Sequence, residues 1–176
     1  IEKFSEEVKQ GNTFQSTSII MGAPIFGSEV IKDNFIRIPL KTLNRHGLIA
    51  GATGTGKTKS LQIIAEQLSA FGVPSLLMDI KGDLSGIAAM GTTNAKIEER
   101  HGKIGLPFSP DGSPVEFLSL SNEKGSRLRA TVTEFGPVLF SKILDLNDIQ
   151  TGVITLVFKW SDDNQLPLID LNDVKK

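Results

Sequence analysis

The sequence lacks several features that would point to particular classes of protein. It contains no cysteine among its 176 residues, which excludes disulfide bonds, thiolate metal sites and cysteine nucleophiles. It has no apolar run near the roughly 18 residues that a membrane span needs, and residues 1–7 lack the order of a signal peptide. The net charge is only −1, so no overall basic field indicates nucleic acid. We expect a cytoplasmic protein with no membrane partner.

A phosphate-binding motif is the most informative segment that is present. Residues 51–58 read Gly-Ala-Thr-Gly-Thr-Gly-Lys-Thr and match the P-loop pattern G-x-x-x-x-G-K-[ST] at every fixed position. The residues expected to contact a nucleotide are consecutive in the chain: Gly51, Ala52, Thr53, Gly54, Thr55, Gly56, Lys57, Thr58 and Lys59.

Each residue type in this motif has a physical role in phosphate binding. Glycines adopt backbone angles that side chains forbid, so successive N–H groups can turn inward around an anion. The following helix adds the unpaired N–H groups and the positive dipole end of its N-terminus. We expect Lys57 to act as the catalytic cation on the β and γ phosphates, and Thr58 to place its hydroxyl on Mg²⁺. A nucleotide and Mg²⁺ are therefore the expected ligands of this motif.

The segments that flank the motif predict the fold. Residues 46–50 and 73–79 are short apolar runs typical of buried parallel strands. Between them, apolar residues at spacings of three and four predict an amphipathic helix of about four turns. Strand, helix and strand make a right-handed β-α-β crossover. We expect an α/β fold, namely the parallel sheet of a P-loop NTPase flanked by helices.

The rest of the chain is expected to form an arm and a core. Residues 1–40 read as an N-terminal arm with a helical start and short β-like runs, and residues 41–176 read as the P-loop core. Within the core we expect short elements: helices at 84–90, 93–101, 137–144 and 148–160, and a strand at 115–120. The helix from 148 has a capping box in Asn147 and Gln150. Its apolar stripe is expected to be buried: Ile149, Val153, Leu156, Val157 and Trp160.

Hydrolysis of a nucleotide usually needs a second, acidic site. P-loop ATPases carry an Asp at the end of an apolar strand, often followed by a Glu that positions the attacking water. No Asp-Glu pair occurs in this sequence. Asp79 is the best candidate for the metal, because carboxyl ends of strands line the ligand crevice of open α/β sheets. The alternative is that Asp79 only fixes the next turn; Lys81 and Asp83 share its loop and rank lower.

An ordered set of segments resembles the HerA/FtsK superfamily, specifically a group of bacterial HerA-like ATPases. The resemblance covers most of residues 20–176, and its strength lies in the order of the segments, since the P-loop alone is shared by many unrelated families. The matching segments are residues 45–50 leading into the P-loop, 73–79 with 81–86, 131–137, 146–150 with 152–153, 161–163 and 168–174.

The resemblance implies a RecA-like motor core that uses ATP and Mg²⁺. It also implies a homo-oligomer, such as a hexameric ring, with DNA as the polymer on which the full-length protein acts. In that family the strand that ends in Asp-Glu lies further along the chain. This sequence therefore looks like the N-terminal part of a longer protein with an incomplete sheet, and neither the catalytic carboxylate nor an arginine finger is assigned.

Other functions remain open from the sequence. A small-molecule kinase can share the P-loop spelling, but no arginine-rich lid is present, only the scattered Arg127 and Arg129. Residues 83–86 fit the D-x-x-G switch of a GTPase, yet no N-K-x-D guanine reader occurs. A module that binds nucleotide without turning it over is the third alternative, and the missing acidic pair favours it for this chain.

Overall fold

The computed structural model describes residues 1–175. Within these residues it contains six α-helices and three two-stranded sheets, so the protein combines helices with small sheets. The contacts divide the chain into two compact units, Ile1–Val115 and Glu116–Lys176. The predicted boundary at residue 40 stays a prediction.

The first unit contains the helical start, two antiparallel strand pairs and the P-loop helix. The strands pair as β1 with β4 and β2 with β3. Short 3-10 turns at Leu40–Thr42 and Ser85–Ala88 complete the unit, and only the second of them lies in the predicted helix at 84–90. The elements in chain order are α1 (Glu2–Gly11), β1 (Ser18–Gly22), β2 (Ile25–Phe26), β3 (Glu29–Val30), β4 (Ile36–Pro39), α2 (Lys57–Ala70) and α3 (Ala95–Ile104).

Helix α2 is fixed to strand β1 by one side-chain amide. The Ile20 N–H donates to Gln67 Oε1 at 2.7 Å, and Gln67 Nε2 donates to the Ile20 carbonyl at 2.8 Å. These two bonds satisfy the backbone of β1 much as a neighbouring strand would. Ile19, next to this contact, is fully buried. The helix that follows the P-loop therefore has a fixed position against the sheet of its unit.

The two predicted parallel strands differ from the structure. Residues 46–50 and 73–79 have no regular secondary structure, and most of their apolar side chains are open to solvent, with Leu48 89% and Met78 87% exposed. A strand needs a neighbour that pairs with its backbone N–H and C=O groups. The strands of this unit pair with one another and with no part of these two segments. An apolar run alone was therefore not sufficient to form a strand.

The second unit is built on a pair of helices. Its elements are β5 (Leu118–Ser119), β6 (Ser126–Arg127), α4 (Val132–Ile143), α5 (Asp148–Asp163) and α6 (Leu171–Lys175). Strands β5 and β6 form a short parallel pair, which is all that the structure has of the strand predicted at 115–120. Helices α4 and α5 enclose a small apolar core: Val132, Phe140, Phe158 and Leu168.

Capping fixes the starts of α4 and α5. The predicted box at α5 is confirmed, since Asn147 Oδ1 accepts from the Gln150 N–H at 2.9 Å and Gln150 Oε1 accepts from the Asn147 N–H at 3.0 Å. Helix α4 has a similar box at Thr131 and so begins five residues before the predicted start at 137. Gly136, with φ of 66°, kinks that helix just before the proline that suggested the later start.

The structure buries only part of the predicted apolar stripe of α5, since Val157 is half-buried and packs against the core of this unit. Phe158 is only 4% exposed and its ring lies 5.7 Å from that of Phe140, whereas Trp160 is 61% exposed. Ile149, Val153 and Leu156 are exposed as well. The core face of α5 is set by where α4 packs, and periodicity alone does not contain that information. The expectation that Trp160 belongs to the core is wrong for this structure.

Replacing Phe158 by Ala should destabilise the second unit far more than replacing Trp160 by Ala. Phe158→Ala removes a buried ring and leaves a cavity, which typically costs about 3–5 kcal/mol. Trp160→Ala changes an exposed side chain, and such changes stay within about 0.5 kcal/mol. Urea unfolding followed by circular dichroism measures both. Equal losses for the two variants would contradict the observed core face.

Candidate functional site

The P-loop has the backbone that its glycines were predicted to provide. Gly54 and Gly56 have φ of 83° and 96°, in the left-handed region that residues with a Cβ rarely adopt. At Gly51 the restriction is steric, because an added Cβ would lie 2.6 Å from Thr55 Oγ1. Gly56 is also the N-cap of α2 and has no side chain that could accept from the first-turn N–H groups. Those groups face the loop as the helix begins.

The Lys57 ammonium lies over the loop. Lys57 Nζ donates to the Ala52 carbonyl at 2.7 Å, and Thr55 Oγ1 donates to the same oxygen at 2.8 Å. The lysine side chain is thus folded back across the turn that precedes its own helix. A cation, a set of helix N-terminal N–H groups and a dipole end converge on one small region.

Thr58, the next residue, contacts a second segment of the chain. Its hydroxyl donates to Asp83 Oδ2 at 3.1 Å. One helical turn later, the buried Gln62 donates from Nε2 to the Asp83 backbone carbonyl at 3.0 Å. Lys59 Nζ donates to Gln62 Oε1 at 2.7 Å, so the side chain of Lys59 is directed along the helix rather than into the loop. Helix α2 therefore holds Asp83 by both its side chain and its backbone.

Asp79 fixes the turn that leads to Asp83. Its Oδ1 accepts from the N–H groups of Lys81, Gly82 and Asp83, and its Oδ2 accepts from Leu84 N–H at 2.8 Å. These bonds favour the ionised carboxylate and lower its pKa, with the bond from Leu84 the largest cause. The turn-fixing role considered for Asp79 is therefore present; its predicted contact with metal stays a prediction.

The two segments border one open cleft of about 370 Å³. Its polar lining consists of two cations, two carboxylates and one hydroxyl, and its apolar lining comes from α2, from the Asp79 turn and its flanks, and from Ile49 before the P-loop. The lining residues are Ile49, Lys57, Thr58, Leu61, Met78, Asp79, Ile80, Lys81, Asp83 and Leu84. Charged groups of both signs beside a glycine-rich loop and a helix N-terminus suit a phosphate ester bound with a metal cation.

A larger cleft of the same unit, about 470 Å³, is also lined by charged groups, Lys32, Asp33 and Glu98, but no P-loop residue borders it. His101 lines it, but the Nδ1 of this ring is 2.8 Å from the Leu106 carbonyl and its ring packs 5.0 Å from that of Phe108. The histidine therefore stabilises the end of α3. The cleft at the P-loop is the better candidate site.

The oxygen groups at the P-loop fit magnesium. Mg²⁺ prefers hard oxygen ligands and usually keeps waters and substrate phosphates in its shell alongside one or two protein groups. The Thr58 hydroxyl and the Asp83 carboxylate are such groups. Within residues 1–175 no three His, Asp or Glu side chains are grouped to hold a metal ion by themselves. A magnesium ion here would depend on the nucleotide for part of its shell.

Two residues of this region have more contacts with the start of α2 than the sequence indicated, while the expected nucleotide contacts of residues 51–59 stay a prediction. Asp83 ranked below Asp79, although it is the carboxylate that Thr58 contacts. Gln62 was not considered at all. The sequence does indicate a role for Gln62 beside Thr58, because it lies four residues after Thr58 and residues four apart on a helix share a face. Arg127 and Arg129 are exposed residues of the second unit.

The model of the family described as "Helicase HerA-like C-terminal" matches residues 27–176. The chain belongs to this family. The resemblance seen in the sequence is thereby confirmed, and the HerA-like family places the chain in an ATPase and helicase context. No curated protein and no solved structure matches this HerA-like chain. Among residues 1–175, no helix has the length and apolar character required to cross a bilayer.

Acid should release the turn that Asp79 holds. The pKa of this carboxyl lies below its ordinary value of 3.8 because the folded state favours the ionised form. The stabilisation is complete above that ordinary value and is lost as the pH falls through the lower, folded pKa. The NMR amide resonance of Leu84 should therefore titrate with a midpoint below 3.8. A midpoint at or above that value, or the same titration in Asp79→Asn, would contradict the assignment.

Proposed function

We propose that this chain is the ATP-binding P-loop domain of a HerA-like ATPase. The observation that carries the proposal is that the Lys57 ammonium and the Thr58 hydroxyl lie on the first turn of α2. The ammonium contacts the loop backbone, and the hydroxyl contacts the Asp83 carboxylate. A cation for phosphate and a hydroxyl for a metal are thus adjacent at a helix N-terminus. The match to the HerA-like family supports the choice of ATP.

Binding requires Lys57 to exchange one acceptor for another. In the structure its ammonium donates to the Ala52 carbonyl, and in the proposed complex it donates to oxygens of the β and γ phosphates. The second bond is between opposite charges and is therefore stronger than a bond to a neutral carbonyl. The backbone N–H groups of residues 53–58 surround the β phosphate. Pre-positioning of the ammonium over the loop lowers the ordering cost of this exchange.

Magnesium, when bound, neutralises phosphate charge and polarises the γ phosphoryl group. Thr58 would hold it through its hydroxyl oxygen. Asp79, the carboxylate favoured from the sequence, has both oxygens engaged by backbone N–H groups, so in our proposal it contributes through the turn that it fixes.

The proposal extends to the larger assembly. We infer a RecA-like sheet in which the exposed apolar segments 46–50 and 73–79 gain strand partners, in a cytoplasmic homo-oligomer such as a hexameric ring that hydrolyses ATP. Their exposed apolar side chains support this inference, since large apolar patches mark surfaces that become covered. Action on DNA rests on the family description alone. The test is to measure ATP turnover by the full-length protein with and without DNA. If no DNA raises the turnover, the hypothesis that the protein acts on DNA is wrong.

Lys57→Ala should weaken Mg-ATP binding sharply. The variant loses a hydrogen bond between charged groups, worth about 1.5–3 kcal/mol, so the dissociation constant should rise about tenfold or more. Isothermal titration calorimetry with Mg-ATP measures the change, and titration with Mg-GTP tests the base preference.

Lys59→Ala is the matched control. It removes the same charge from the same helix turn, but its ammonium contacts Gln62 rather than the loop. We expect the ATP affinity of this variant to stay within about threefold of the original, since it loses only screened long-range attraction and a hydrogen bond to Gln62 that does not involve the loop. Unchanged ATP affinity in Lys57→Ala, or equal losses in both variants, would defeat the assignment of Lys57.

A further inference from the structure

We propose that Asp83 is the positioning carboxylate of the magnesium site, acting through Thr58. This inference rests on the proposed function, because it concerns the metal that accompanies ATP. A hydroxyl has one proton and two lone pairs. By accepting the Thr58 proton at 3.1 Å, Asp83 turns the lone pairs of that oxygen away from itself and leaves them free for a cation.

The two carboxylates of the cleft are not equivalent. Asp79 accepts four backbone N–H groups with its two oxygens, which uses its acceptor capacity within its own turn. Asp83 Oδ2 accepts from a side chain of the P-loop helix. Asp83 is therefore the carboxylate that can respond to what Thr58 binds.

The position of Asp83 is fixed from two directions. Its carbonyl accepts from Gln62 Nε2 at 3.0 Å, and its N–H donates to Asp79 Oδ1 at 3.3 Å. Gln62 is buried, with 7% of its surface exposed, so its amide is held in place by packing. A side chain whose own backbone is fixed on both sides can orient a neighbour without a large entropy loss. Asp79 and Gln62 thus place the Asp83 carboxylate at the start of α2.

The charge of Asp83 gives the proposal a distinctive consequence. Without a metal, a carboxylate near the phosphates repels them, so removing its charge should leave metal-free ATP binding equal or somewhat tighter. With magnesium, the same change should remove the orientation of Thr58. A residue that merely supports the loop would weaken ATP binding in both conditions. The difference between the two conditions therefore separates a metal-positioning role from a structural one.

The experiment measures ATP affinity with Mg²⁺ and with EDTA for the original chain and for Asp83→Asn. We define the Mg²⁺ effect as the dissociation constant for ATP in EDTA divided by that in Mg²⁺. This ratio should fall about tenfold in Asp83→Asn, while the affinity for ATP in EDTA is equal or higher. Adding Asp83→Asn to Thr58→Val should cause no further loss, because the two side chains act as one unit. Glu66→Gln is the control: Glu66 is an exposed acid on the same helix, and this variant should keep the full Mg²⁺ effect.

Three outcomes would overturn the inference. They are an undiminished Mg²⁺ effect in Asp83→Asn, an equal loss with and without Mg²⁺, and independent losses from Asp83→Asn and Thr58→Val. If Asp83→Asn does not fold, Asp83→Glu replaces it in the experiment. This variant keeps the charge but moves the carboxylate by one methylene, so we expect a reduced Mg²⁺ effect. Lys57-dependent ATP binding with any of these three outcomes would leave the proposed function standing. No ATP binding by the original chain would defeat both.

Discussion

A single carboxylate holds together the part of the site that lies outside the P-loop. Asp79 accepts four backbone N–H groups from residues 81–84, and this turn brings the Asp83 side chain to Thr58 and its carbonyl to Gln62. Were the turn to open, helix α2 would lose both contacts at once. The acidic side of the cleft therefore depends on an exposed group that needs no other side chain, since backbone N–H groups are donors in every residue involved.

The two sides of the cleft are specified by different kinds of constraint. The loop side depends on backbone angles that only glycine adopts easily, at Gly54 and Gly56. The acidic side depends on hydrogen bonds between segments about twenty residues apart, joined through Gln62. Loop geometry can form as soon as α2 begins, whereas the acidic side requires the Asp79 turn to dock. The loop side is accordingly the more local of the two, and the acidic side is the more dependent on tertiary structure.

What the sequence could predict follows this distinction. The left-handed backbone at Gly54 and Gly56, the extent of α2 and the capping box of α5 were predictable because each rests on residues within one or two helical turns. The buried face of α5 was not, since Phe158 rather than Trp160 meets Phe140 only when α4 lies beside it. The strands at 46–50 and 73–79 were not either, because a strand exists only with a partner. Asp83 was undervalued for the same reason, as its importance comes from a contact with Thr58 rather than from its own neighbours.

The exposed apolar segments and the site share residues, and this couples the proposed sheet to the proposed binding. Ile49, Met78 and Ile80 line the cleft while belonging to, or adjoining, the segments that would become strands. In a sheet, successive side chains point to opposite faces, so pairing of these segments would bury some of these residues and redirect others. It would also fix the chain that enters the P-loop before Gly51 and the chain that enters the Asp79 turn. Assembly of the sheet would therefore rigidify both sides of the cleft together, and a ligand that orders the cleft would favour assembly by the same free energy.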